Sequence, residues 1–112
     1  MIFSIIVPVC NGEAFIEECV RSAAEQRRDF DGQQDVFEVV ICENGSSDNT
    51  PKICDELAFK YDCVSTIHRG KIGLFRARQE GIRVAKGEWI VSLDGDDQLA
   101  SGALRTDRKS VV

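Results

Sequence analysis

The 112-residue sequence predicts an α/β domain built on a doubly wound parallel sheet. Two β-branched runs, 2–7 and 36–42, are near-continuously apolar rather than alternating, which marks strands covered on both faces. The stretches between such runs place apolar residues at helical spacing instead. The resulting order, β-α-β-α-β-α-β, implies right-handed crossovers between parallel strands.

The first strand is Ile2-Phe3-Ser4-Ile5-Ile6-Val7. Residues 13–26 follow as a helix, with Phe15, Cys19, Val20, Ala23 and Ala24 on one stripe. The second strand covers 36–42. Ser46-Ser47-Asp48-Asn49-Thr50 offers several caps ahead of Pro51, a residue suited to a first helical turn, so the second helix runs over about 51–61. The third strand is 63–68. The third helix begins near Gly73 and ends at Gly87, read as its C′ residue, and the fourth strand is 88–93. Past Leu104 all periodicity is lost. Residues 1–104 therefore read as one domain and 105–112 as a tail or a truncation point.

Bulk properties narrow the function. A net charge of −5 and the absence of a long basic run argue against nucleic acid as a partner. The five cysteines are odd in number, lack any C-x-x-C spacing and mostly sit in apolar segments, which fits reduced core thiols rather than a disulfide or zinc framework. No stretch is long enough to cross a bilayer, and the apolar start lacks a basic leader. The expected location is cytoplasmic, with the inner face of the membrane left open for a longer protein.

The segment 88–97 carries the chemistry, because a short strand delivers Asp94, Asp96 and Asp97 to one turn. Carboxylate oxygens suit Mg²⁺ or Mn²⁺, which keep further positions for water and substrate phosphates. The same letters would also make an ordinary acid-rich turn. An EF-hand is excluded, since Leu99 and Arg105 stand where that loop needs Gly and Glu. With strand order 3-2-1-4, the switch point where such sheets bind ligands falls between strands one and four. Pro8-Val9-Cys10-Asn11-Gly12 and Asp94-Gly95-Asp96-Asp97 would then converge there, with Glu43-Asn44-Gly45 beside them. Arg76, Glu80 and Arg83 read as a solvated, pairing helix face. Arg78 falls instead within the arc of Leu74, Ala85 and Ile82, the face that should meet the sheet, so it needs a carboxylate or a ligand phosphate as partner. His68, the lone histidine, reads as structural rather than metal-binding.

Together these residues resemble the family 2 glycosyltransferases of GT-A fold. Ser4-Ile-Ile-Val-Pro-Val-Cys-Asn11, Glu43-Asn-Gly-Ser-Ser-Asp48, Ala77-Arg78-Gln79-Glu80-Gly81, Gly87-Glu88-Trp89-Ile90 and Leu93-Asp-Gly-Asp-Asp97 stand where that family carries its ordered motifs. The sequence departs from the family pattern at Cys10, often Tyr, at Glu43-Asn44, usually Asp-Asp, and at Gln79, usually Asn. The resemblance implies a Rossmann-like GT-A fold, truncated to the amino-terminal, nucleotide-sugar-binding half. It implies that Pro8, Val9 and Asn11 line the base and ribose, that Glu43 accepts from them, and that Arg78 approaches the diphosphate. Asp94 and Gly95 would frame the ribose, and Asp96, Asp94 and Asp97 the metal, with Asp96 the direct ligand. The implied partners are a UDP-sugar and a glycan or lipid-linked acceptor, with Mn²⁺ or Mg²⁺ as cofactor. The carboxylate base of inverting members lies in a later segment, so the chain is expected to bind donor without turning it over, and an uncovered fourth strand leaves room for self-association. The alternative is a noncatalytic nucleotide-binding module. A dinucleotide oxidoreductase is disfavoured because no G-x-G-x-x-G appears.

Overall fold

A computed structural model of the chain describes residues 2–26 and 37–94. Strands β1 (Phe3–Val9), β2 (Phe37–Asn44), β3 (Val64–Arg69) and β4 (Trp89–Ser92) alternate with helices α1 (Ile16–Ala24), α2 (Thr50–Lys60) and α3 (Leu74–Val84). All pairings are parallel and the order is β3-β2-β1-β4, as expected from the sequence. Tail residues 105–112, and 95–104 of the expected domain, lie outside the described residues.

The pleat sorts the central strands between two cores. Ile5, Val7, Val9, Val39 and Ile41 face α1 and α2, packing with Ile16, Cys19, Val20, Cys54 and Leu57. Ile6, Val40 and Cys42 face α3 and pack with Ala77. Continuous apolar runs were needed because both faces of β1 and β2 are covered.

Several boundaries differ from expectation, each for a physical reason. Helix α1 starts at Ile16, not at residue 13, and Phe15 lies outside it with 56% exposure. The buried stripe is Ile16, Cys19, Val20, Ala23 and Ala24, an i, i+3/i+4, i+7/i+8 pattern, and Phe15 falls in the turn before it. The face of α3 that meets the sheet is Ala77 and Gly81, whereas Leu74 and Ile82 are exposed and Ala85 is half-buried. A side-chain carbon at Gly81 would stand 2.4 Å from Cys42 Sγ and 2.7 Å from Ile6 Cγ2, so its absence lets α3 approach closely. Gly87 is not the C′ residue of α3, which ends at Val84 with extended Ala85 as its cap. Its role is steric: a Cβ there would lie 2.6 Å from the Phe3 carbonyl carbon. Its N–H donates to Ser4 Oγ (2.8 Å), which in turn donates to Glu38 (2.7 Å), anchoring the α3–β4 connection beneath β1.

Cys19, Cys42 and Cys54 are buried, and Cys10 and Cys63 half-buried. Burial pushes the Cys42 thiol up to about 11 and Cys54 to about 12, so neither is a nucleophile at neutral pH. No helix among the described residues is long and apolar enough to cross a membrane.

Candidate nucleotide site

A crevice of about 410 Å³ opens at the carboxyl ends of β1 and β4, lined by Pro8, Val9, Cys10, Asn11, Gly12, Phe15, Leu74 and Asp94. Its position follows from β1. Ile2 and Ile6 offer their carbonyls to the N–H groups of Trp89 and Leu93, so the even-numbered residues of β1 turn their backbone toward β4. Pro8 is next in that series and has no N–H to donate. The register with β4 ends at Ile6 opposite Ser92, and the two chains part around Pro8 to leave the crevice.

The next loop is held by its neighbour. Asn11 adopts φ +53°, a left-handed conformation that Asn tolerates better than most residues. Its N–H donates to Ser46 Oγ (2.9 Å), while its Oδ1 accepts from the Ser47 N–H (2.8 Å) and hydroxyl (3.2 Å). The buried Gly12 N–H donates to Thr50 Oγ1 at 2.9 Å. The Glu13 N–H donates to Asp48, and the Asn49 N–H donates back to Glu13. The polar run before α2 thus spends its side chains on the β1–α1 loop. Asn49, the cap residue, makes no side-chain cap bond, and Asp48 accepts from the Thr50 N–H instead (2.9 Å).

On the other side, buried Asn44 accepts from the Ile72 N–H at 2.8 Å, and Gly45 at φ +63° passes so close that a Cβ would lie 2.8 Å from Lys71 N. These contacts fix the start of α3, whose Leu74 forms one wall of the crevice. Arg78 comes one turn later. Its Nε is buried with no hydrogen-bond partner, and its Nη2 lies 3.7 Å from Asp94 Oδ1, beyond hydrogen-bond range. Glu80 pairs with Arg69 of β3 at 3.2 Å and more loosely with Arg83 at 3.6 Å. Arg76, expected on that pairing face, does not take part.

Of the residues singled out from sequence, Pro8, Val9, Asn11 and Asp94 line the crevice, and Arg78 reaches its edge at Asp94. Glu43 does not line it; the carboxylate is buried, with Ser46 N–H 2.6 Å and His68 Nδ1 3.0 Å away. Gly95, Asp96 and Asp97 lie outside the described residues. Phe15 and Leu74 were not anticipated as lining residues. Each sits at a helix start, which residue spacing alone does not fix.

Asp94 offers a divalent ion one accessible carboxylate, and the rest of the acidic turn lies outside the described residues. Asp94 presents a carboxylate that is 63% exposed and only loosely engaged by Arg78. Among the described residues no three His, Cys, Asp or Glu groups converge, so Asp94 stands as the described member of its acidic set.

A parallel sheet with order 3-2-1-4 and a crevice at its switch point defines a Rossmann-like doubly wound class, in which ligands bind at that point. The family model described as glycosyl transferase family 2 matches residues 4–106, and the chain belongs to that family. It is 36% identical over 98 residues to the uncharacterized glycosyltransferase EpsJ of Bacillus subtilis, covering 88% of this chain and 27% of that one. It is 32% identical over 106 residues to the glycosyltransferase GlyG of Streptococcus pneumoniae, covering 94% and 33%. It therefore spans about a third or less of these relatives. Among solved structures, Staphylococcus aureus TarS 1–349 in complex with UDP-GlcNAc superposes with a TM-score of 0.81 at 27% identity, over 99% of this chain and 31% of that one. The mannosyltransferase PcManGT of Pyrobaculum calidifontis, in complex with GDP-Man and Mn²⁺, gives 0.83 at 28%, over 96% and 31%. The fold is the GT-A fold.

Proposed function

We propose that the chain is the donor-binding part of an inverting glycosyltransferase that moves a sugar from a nucleoside-diphosphate sugar to a hydroxyl acceptor. The observation that carries this reading is the crevice itself, where the Pro8–Gly12 turn and Asp94 meet beside a guanidinium with a buried, unmatched Nε. A nucleoside diphosphate would complete that set. Pro8, Val9 and Asn11 would bound the base and ribose, with Glu43 supporting them from beneath. Arg78 is spaced too far from Asp94 for a strong pair, and a phosphate oxygen reaching the guanidinium would satisfy it. Asp94, Asp96 and Asp97 would hold Mn²⁺ or Mg²⁺, which supplies Lewis acidity toward the charge that develops on the departing diphosphate. Gly95 would let the backbone pass close to the ribose. A UDP-sugar is the donor we favour, and a glycan or lipid-linked acceptor would come from chemistry outside this chain. With the general base assigned to a later segment, the chain alone should bind donor and turn over little.

Calorimetric titration of UDP and GDP, with Mn²⁺ and with chelator, tests this. UDP binding that needs the metal and is lost in Asp96→Asn is the expected result. Absence of binding by folded protein, or robust sugar transfer by the chain alone, would contradict it.

A further inference from the structure

One ionisable cluster lies behind the crevice rather than in it. Glu43, at the end of β2, is 3% exposed, and burying a carboxylate there is costly unless its oxygens are matched. Oε2 accepts from the Ser46 N–H at 2.6 Å, and Oε1 lies 3.0 Å from His68 Nδ1. The other ring nitrogen, Nε2, lies 2.8 Å from Asp55 Oδ1 of α2. A neutral imidazole has one N–H, so it would serve one carboxylate and turn a lone pair on the other. Carboxylates at both ring nitrogens select the imidazolium.

The cluster connects to the crevice through three residues. Ser46, whose N–H is held by Glu43, accepts from the Asn11 N–H through its hydroxyl at 2.9 Å. Ser47 follows and donates to Asn11 Oδ1 at 2.8 Å. Asn11 holds left-handed φ and lines the crevice. A path of hydrogen bonds therefore runs from a half-exposed histidine to the loop that faces the ligand.

We propose that His68 is a positioning residue of the nucleotide site: as an imidazolium it fixes Glu43, and through Glu43 the Ser46–Ser47 turn and Asn11, so that nucleoside-diphosphate binding weakens when His68 loses its proton. This rests on the crevice being the donor site. The charged groups facing the ring are Glu43 from β2 and Asp55 from α2, and the next residue, Arg69, contacts His68 through its backbone. Arg69 donates to the His68 carbonyl at 2.9 Å and is itself held by Glu80. Consistent with the geometry, the hydrogen bonds to Glu43 and then to Asp55 raise the His68 pKa above its ordinary value. Burial pushes Glu43 up, but the His68 and Ser46 hydrogen bonds outweigh it and leave Glu43 below the usual carboxylate value. The sign follows: the pair is intact between the ordinary carboxylate range and the raised imidazole pKa, and fails above the latter as the proton leaves to solvent.

The test measures UDP affinity with Mg²⁺ from about pH 6 to about pH 8.5, with amide-exchange protection at Asn11, Ser46 and Ser47 over the same range. Wild type should lose about five-fold or more in affinity, and protection at those amides, as His68 titrates. His68→Gln should be weak throughout and keep only the titration of UDP itself, which its profile subtracts from that of wild type, and His68→Arg should restore binding with no more pH dependence than His68→Gln. Unchanged protection while His68 titrates, or a flat wild-type affinity, would overturn the proposal. Should UDP not bind at any pH, the donor reading fails and the exchange data alone decide the role of His68. Should His68→Gln not fold, the wild-type series decides.

Discussion

Gly81 shows how a single missing methyl sets the depth of this fold. A glycine in mid-helix ordinarily costs about 1 kcal/mol relative to alanine, so Gly81→Ala would stabilise an isolated helix. Here the added Cβ would stand 2.4 Å from Cys42 Sγ and 2.7 Å from Ile6 Cγ2, both in the sealed core under α3. Overpacking of that kind costs about 1–3 kcal/mol and should win. Gly81→Ala should therefore lower the urea midpoint, and a raised midpoint would show that α3 can lift from the sheet. At this scale the sequence was partly legible. The acids, Pro8, Asn11 and Arg78 stood out by type and position. What a glycine is for did not, because the atoms it makes room for lie far away in sequence: Gly87 looked like a helix end and is a contact with Phe3 and Ser4. Glu43 was read from sequence as a nucleotide contact but does not line the crevice, and its burial against His68 depends on two strand ends meeting.

The decisive relation among elements is the lacing of the β1–α1 loop to the β2–α2 loop. Thr50, at the start of α2, accepts through its hydroxyl oxygen from the buried Gly12 N–H rather than from its own helix. Thr50→Val keeps the shape and removes the acceptor, leaving a buried donor unmatched at about 1–3 kcal/mol. The expected result is a lowered unfolding midpoint with an unchanged denaturant slope; no loss of stability would mean that water or another group replaces the hydroxyl. Strands and helices were readable from period alone, since double-sided burial forces continuous apolar runs. Their ends were not. Strand β2 continues through Glu43 and Asn44 because register with β3 extends to His68 and Arg69, and β1 continues through Pro8 because its other edge still pairs with Cys42 of β2. Capping letters before α2 misled for the same reason, since the loop they serve is supplied by a distant part of the chain.

Across the whole molecule the apolar surface is uneven. Among the described residues strand β4 is a sheet edge, and Trp89 and Ile90 on it are 49% and 41% exposed, with Ile82 and Val84 of α3 at 42% each. An edge with exposed apolar side chains invites pairing. We expect the chain to self-associate, visible as a sedimentation coefficient that rises with concentration, whereas a constant monomer value would show that this surface is tolerated in water. The sheet order and the meeting of two distant turns were deducible because parallel topology and right-handed crossovers leave few arrangements. The crevice walls contributed by Phe15 and Leu74 were not, because they depend on where helices begin.

The most direct test of the crevice as the nucleotide site is paramagnetic broadening by Mn²⁺ in amide NMR spectra of the chain with UDP. The expected result is UDP-dependent broadening of Val9, Cys10, Asn11, Leu74 and Asp94, with α2 residues such as Leu57 unaffected. Broadening centred elsewhere, or identical with and without UDP, would contradict the account.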